Sequence, residues 1–430
     1  MFIIGATKLT LAAKMRLIRE NLGLTQLQLA VAMDCGETTV VNYESGKFPV
    51  SDKTFSKFRV ATNTDDVPLA DDELAAYNKV LYKWNDMIVL GDRDGAAEFL
   101  PKLERRAKLS YDEDSQTLFQ LFSVRYYFSL GNRDECLKIL DSLREREQSL
   151  TNEHLFWYHR YLGLLDHAIW QYKPALVRYR KAEKLGDRLG LNDRSLYFNI
   201  GYCYAEMEYP YLASNYLERV LVQKADTFNI RSGFSAQRLL AISYSKLGRV
   251  DDAHKLLENC LNHVKAESKG DKLTLGGVYL DMGKVYQDAK DYDKAIEYFD
   301  LAAQHYDNDS EAYLEYLCMK ASLLRTLGRS EAVVECLHIA LPKAIKGTLW
   351  YEWLNAIDKS LTMSNNESII YIEHTSIPQF HIYGKHRLAM DCYTWISGYY
   401  KSTSKYKLAL EYSDKAKEIY QKLTEGDLNL

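Results

Sequence analysis

Asn, Gln, Arg and Lys side chains spaced along one face of successive helices do one kind of chemistry well: they hold an extended peptide. A carboxamide presents a donor and an acceptor together, so it meets a backbone N–H and C=O at once, while a guanidinium or ammonium holds a carboxylate. The chain carries such a series. Arg160, His167, Asn199, Tyr202, Arg238, Ser245, Lys284 and Gln287 fall at first-helix positions of a repeating pattern, with Arg125, Glu206 and Arg325 at equivalent places. Asn199 immediately precedes the Ile200-Gly201 step of a strong repeat. The competing fate of any single Arg or Asn on such a face is a solvated or interhelical role.

Catalytic patterns are absent from the sequence. There is no GxxxxGK loop, no HExxH and no GxSxG elbow, and the ten histidines are scattered. The seven cysteines, Cys35, Cys136, Cys203, Cys260, Cys318, Cys336 and Cys392, are far apart and form no Cys-x-x-Cys pair, which suits neither a disulfide framework nor a zinc site. The expectation is a non-enzymatic protein of a reducing cytoplasm, without metal or cofactor. Lys8, Lys14 and Arg16 interrupt the apolar start, and no later run approaches the roughly 20 apolar residues of a membrane span.

The elements that position these groups follow from composition and period. With only 7 prolines and 47% hydrophobic residues, the 430-residue chain reads as all-α, with enough apolar material for more than one core. From Leu11, apolar residues Met15, Leu17, Ile18 and Leu22 recur at helical spacing before Gly23 stops the run. Thr25 is an N-cap for a second helix with the stripe Leu27, Leu29, Ala30 and Met33. A turn at Asp34, Cys35 and Gly36 leads to a third, ETTVVNYE, whose Val40 and Tyr43 point inward and whose Glu37, Thr38, Thr39 and Asn42 point outward. That order is helix, turn, recognition helix.

Charge supports the same division. Overall the chain is −4, yet residues 1–60 hold eight basic and five acidic side chains, +3 net, leaving −7 for the rest. A phosphate-binding surface therefore belongs at the N-terminus. The polar, acidic stretch 65–73, which includes Pro68, reads as a linker between a first domain at 1–64 and a second at 74–430.

Beyond residue 74 the sequence repeats. Tyr279, Met282, Gly283, Tyr286, Ala295, Phe299 and Ala302 occupy the positions that define a tetratricopeptide repeat. Gly163 with Ala175, Tyr179 and Ala182, Gly201 with Ala213 and Leu217, and Ala241 with Ala253 and Leu257 mark three more copies. Weaker ones surround 124–136, 319–332 and 396–409, and the stretch 347–386 fits poorly. The small residues are 38, 40 and 42 apart, against roughly 34 in the plain repeat, so helices or loops are extended. A right-handed superhelix is expected.

The N-terminal segment resembles the Xre/Cro-like helix-turn-helix family through Leu24, Thr25, Gln26, Leu29, Ala30, Val40, Tyr43, Glu44, Ser45 and Gly46. The resemblance implies that Glu37, Thr38, Thr39 and Asn42 face base edges, while Gln26, Ser45 and Lys47 approach the phosphates. Glu37 departs from the Arg, Gln or Ser common there, and a carboxylate can only accept, as from a cytosine amino group.

Such a head followed by stretched repeats resembles the RRNPP family of Gram-positive quorum-sensing regulators, nearest to its NprR-like members. The resemblance implies a homodimer that binds a double-stranded DNA operator and a short signalling peptide held in the concave groove, where a carboxamide such as Asn199 clamps the peptide backbone. It leaves two alternatives open: a Rap-like scaffold that binds and inhibits a phosphorelay response regulator, and a dimeric repressor that senses no peptide.

Overall fold

The computed structural model describes residues 9–68, 70–191, 193–222, 230–266 and 272–425, and these are helices and connecting turns. Lys8 and Leu69, used above in the basic segment and the linker, lie outside them. The chain divides into two compact units, Met1–His154 and Leu155–Leu430.

In the first unit, α1 (Leu11–Asn21), α2 (Gln26–Ala32), α3 (Glu37–Glu44) and α4 (Asp52–Ala61) make the head. Local chemistry fixes their ends. Thr10, Thr25 and Ser51 accept the orphan N–H groups of α1, α2 and α4, and Thr25 forms a capping box with Gln28. Asp34, at φ 50, turns the chain between α2 and α3. Met15, Ile18, Leu29, Ala30, Met33, Val40, Phe55 and Phe58 form the core. Leu27 does not join it: α2 is only seven residues long, its inner side is filled by Leu29 and Ala30, and Leu27 stays 54% exposed beside Val31 at 73%. Leu22, beyond the end of α1, is likewise exposed.

The head continues into α5 (Asp71–Leu90), α6 (Arg93–Ser110), α7 (Glu113–Ser129) and α8 (Arg133–Arg144). The connection is folded despite its polar composition. Thr64 and Val67 are fully buried, and Asp66 pairs with Arg105 at 2.6 Å and Arg106 at 3.3 Å. Arg59 donates to the Val67 carbonyl at 2.9 Å and pairs with Glu73 at 2.7 Å. Leu109 enters the head's own core, and the Tyr111 hydroxyl donates to the Leu17 carbonyl at 2.6 Å.

The second unit stacks helices in pairs: α9 (Asn152–Ala168), which begins at the unit boundary, with α10 (Tyr172–Leu189), then α11 (Arg194–Glu206) with α12 (Pro210–Val222), α13 (Ile230–Lys246) with α14 (Val250–Ala266), and α15 (Lys272–Asp288) with α16 (Tyr292–Ala303). After these come α17 (Glu311–Thr326) with α18 (Ser330–Ala340), and α19 (Leu349–Thr362). Next are α20 (Asn365–Tyr371) and α21 (Ile377–Ile382), joined by a π-helical turn at Ile372–Ser376, and finally α22 (His386–Ser402) and α23 (Tyr406–Glu425). The irregular 347–386 stretch is this α19–α21 segment.

Close approach explains the small residues. A Cβ on Gly163 would lie 2.7 Å from the Tyr179 ring, on Gly201 2.9 Å from Leu217, and on Gly283 2.4 Å from Phe299, while Ala241 is fully buried. The paired helices touch where only hydrogen fits. The spacings of 38 and 42 have their source in long helices, since α9, α13 and α14 each run 17 residues and α10 runs 18, whereas α11 and α12, within the spacing of 40, run only 13 each.

Candidate functional sites

On the head, α3 leaves Glu37 and Thr38 exposed and Thr39 and Asn42 partly so, and Ser45 at its C-cap and Lys47 just beyond are exposed too. Val40 is buried and Tyr43 packs on the core, so the two faces of α3 divide as the sequence requires. The presentation depends on one buried pair that sequence reading missed. Arg19 of α1 grips Glu44 of α3 in bidentate fashion, Nε to Oε1 at 2.6 Å and Nη2 to Oε2 at 2.9 Å. Gln26 also donates to Glu44 Oε2 at 2.9 Å, so its amide is committed to holding α2 against α3. Ser45 Oγ donates to the Asn42 carbonyl at 3.3 Å. Arg16, Gln26, Val41 and Ser45 line an open depression of about 450 Å³ at the junction of these helices.

In the second unit, the first helices of successive pairs lie side by side. Their candidate groups form a ladder from one helix to the next. His167 of α9 packs against Tyr202 of α11 with ring centroids 4.7 Å apart and the planes tilted by 37°, and its Nδ1 lies 3.5 Å from the Tyr179 hydroxyl. Burial pushes the His167 imidazole below its ordinary value and the Tyr202 phenol above its own. Arg238 of α13 pairs with Asp281 of α15 at 2.7 Å, and Lys284 of α15 reaches Glu315 of α17 at 2.8 Å. For both cations burial works to lower the pKa, but these carboxylates outweigh it and hold them charged. Ser245, itself buried, donates to Asp288 at 3.0 Å. Arg160 is only 4% exposed, pairs with Asp193 at 2.9 Å and stacks over Trp157, which makes it a brace between α9 and the start of α11.

Two carboxamides stand apart from this pairing. Asn199 has no side-chain hydrogen bond among the described residues, and the Gln287 side-chain oxygen is buried without a partner among them. A face whose charges are matched leaves its unspent hydrogen-bonding capacity in neutral donor–acceptor groups, the type a peptide backbone requires. The sequence pattern located these positions, but not the carboxylates Asp193, Asp281, Asp288 and Glu315 that tie up their neighbours. It also missed Lys385 and Arg387, which reach Glu206 and Asp288 from the N-cap and first turn of α22.

Comparison with known proteins matches a helix-turn-helix family over residues 15–66 and a tetratricopeptide-repeat family over 231–304. The transcriptional activator NprA of Geobacillus stearothermophilus is 22% identical over 349 residues, covering 77% of this chain and 84% of NprA. The structure of NprR in complex with its cognate peptide NprX shares the fold at a TM-score of 0.67 and 18% identity, over 79% of this chain and 98% of that one. The chain shares the helix-turn-helix and tetratricopeptide-repeat architecture of these proteins. Another relative, response regulator aspartate phosphatase E of Bacillus subtilis, is 19% identical over 62% of this chain and 72% of its own length. The sequence relatives thus include both a transcriptional activator and a response regulator aspartate phosphatase. Among the described residues no helix is long and apolar enough to cross a membrane.

Proposed function

We propose that the chain is a peptide-controlled transcription regulator: a dimer that binds an operator through α3 and a short signalling peptide along the first helices of its repeats. One observation carries the reading. In a single chain, a helix α3 that keeps its polar face open is joined to a repeat surface on which, among the described residues, Asn199 makes no side-chain hydrogen bond and the Gln287 side-chain oxygen is buried without one. Glu37, Thr38, Thr39 and Asn42 would read base edges, with Ser45 and Lys47 at the phosphates. Gln26 would act by holding Glu44 rather than by reaching DNA. In the peptide site, Asn199, Gln287 and Tyr202 would contact the ligand, and Arg238, Ser245, Lys284 and His167 would set the wall behind them. Arg160 would support α9 without touching ligand.

Control follows if the peptide favours one repeat curvature over another, because a difference in affinity between two conformations is what shifts their populations. The relative solved with its cognate peptide supports a ligand of that class. The test is fluorescence anisotropy of the full chain on DNA from upstream of its own gene, combined with thermal shift against secreted-peptide candidates. Binding of both, with each altering the other, supports the reading, and failure to bind any duplex overturns it. A Rap-like role is the second reading, favoured by the alignment with the aspartate phosphatase relative. Stable capture of a phosphorelay response regulator by the purified chain, with no duplex binding, would select it.

A further inference from the structure

The C-terminal ends of α11, α13 and α15 come together in an anionic strip. Glu206 ends α11, Glu208 follows it, and Asp288 ends α15; Lys246, at the end of α13, is the cation among them. The three carboxylates outnumber Lys246, with Lys284 of α15 acting on Glu206 and the Asp391 carboxyl facing Glu208 from α22. Helix C-termini add partial negative charge from carbonyls that have no partner within the helix.

A turn from far along the chain sits on this strip. Lys385 Nζ lies 2.8 Å from the Glu206 carboxylate and 3.3 Å from the Glu206 carbonyl, so it caps α11 as well as pairing with its last side chain. The Arg387 backbone N–H donates to Glu208, and its guanidinium lies 3.5 Å from Asp288. Lys246 completes the set at 3.8 Å from Glu208. Gly384, at φ +70, brings the turn down onto Met207: a Cβ there would be 3.6 Å from the Met207 side chain. The His386 ring lies 6.4 Å from Tyr209. The two cations of the turn thus pair with carboxylates of the strip.

We propose that the Tyr383–Arg387 turn is a built-in competitor, its cations occupying an anionic strip at the ends of α11, α13 and α15 that a peptide must clear before binding there. The contacts have the character of a releasable clasp. Apart from Gly384 on Met207 and His386 beside Tyr209 they are ion pairs and hydrogen bonds, and the paired side chains stay partly open to water, 22% for Lys385, 26% for Glu206 and 40% for Arg387. Partly open pairs weaken with salt, and an incoming ligand with its own cations can replace them one for one. Burial works to raise the Glu206 carboxyl, but Lys385, then Lys284 and Lys246, outweigh it and hold it below the ordinary range. An unoccupied Glu206 would therefore keep its demand for a cation. The inference rests on the peptide-receptor reading only for the identity of the natural ligand.

The experiment uses the full chain and the synthetic nonapeptide of residues 381–389 as probe, and neither operator DNA nor a natural signal, so its failure is separate from failure of the regulator reading. The double variant K385Q/R387Q is expected to bind the nonapeptide at least tenfold more tightly than the unaltered chain. Adding E206Q and E208Q is expected to abolish that gain. Hydrogen exchange over 383–388 and 206–209 is expected to quicken about tenfold in K385Q/R387Q, and in the unaltered chain on raising salt, with α16 unchanged. Equal affinity of the two proteins for the probe, no binding to the opened variant, or exchange insensitive to both salt and substitution would each overturn the proposal.

Discussion

Arg19 and Glu44, twenty-five residues apart, meet in a bidentate pair whose side chains are only 10% and 3% exposed, and through it the recognition helix is locked to the first helix of the head. Removing one member leaves the other charged and desolvated, the costly way to break a buried pair. Arg19→Met is expected to destabilise the head by about 3 kcal/mol. Chemical denaturation should show the first unfolding transition moving to lower denaturant while the repeat transition stays. DNA affinity should fall with it, since Gln26 loses its anchored acceptor.

Tyr111 holds the head to the first helical pairs by two hydrogen bonds, one to the Leu17 carbonyl at 2.6 Å and one from Asn21 at 3.1 Å. Tyr111→Phe is expected to cost about 1 kcal/mol and to raise proteolytic cutting and hydrogen exchange across 62–68. Unchanged exchange there would mean that Asp66, Arg105 and Arg106 suffice to hold the connection.

Two helical glycines should respond to alanine with opposite signs. At Gly283 the new methyl would meet Phe299 at 2.4 Å, and the overpacked pair α15–α16 is expected to lose about 1–3 kcal/mol. At Gly398 nothing lies within 4 Å, and α22 is expected to gain about 0.5–1 kcal/mol from better helix propensity. Denaturation midpoints of the two variants measure both.

Stability should fall on mild acidification. Burial lowers the pKa of His154, His167, His381 and His386 below the ordinary 6.5. As pH drops below 6.5 the unfolded chain takes up protons that the folded chain still refuses, so folding loses free energy down to the depressed native values and is unaffected above 6.5. Asp391 acts in the opposite direction: burial pushes its carboxyl up to about 6, and the native state gains protons first between that value and the ordinary 3.8. The denaturation midpoint should therefore drop between pH 7 and 5.5, by less in His154→Gln, and Asp391→Asn should deepen the loss.

The elements were legible where a local rule decides them. Thr25 capping α2, Val40 inside and Thr38 outside on α3, and the tight contacts at Gly163, Gly201 and Gly283 all follow from helical period and side-chain size. The polar partners were not legible. Glu44 stood out as part of a terminating Glu-Ser-Gly run, but nothing local ties it to Arg19, and Lys385 meets Glu206 across 179 residues. Arg160 and Asn199 look alike as polar groups on a repeat face, and only the position of Asp193 separates a brace from an open carboxamide. The 65–73 stretch shows the same limit: its acidic composition suggests a free linker, while Asp66 is spent on two arginines 39 and 40 residues away.

The central claim is that ligand on the repeats and duplex on the head are coupled. It is tested most directly by titrating the full chain with DNA from upstream of its own gene, with and without a peptide that raises its melting temperature. A change in DNA affinity of at least fivefold at saturating peptide, abolished by Asn199→Ala together with Gln287→Ala, is the predicted result. A peptide that binds and stabilises the protein while leaving duplex affinity unchanged would contradict it.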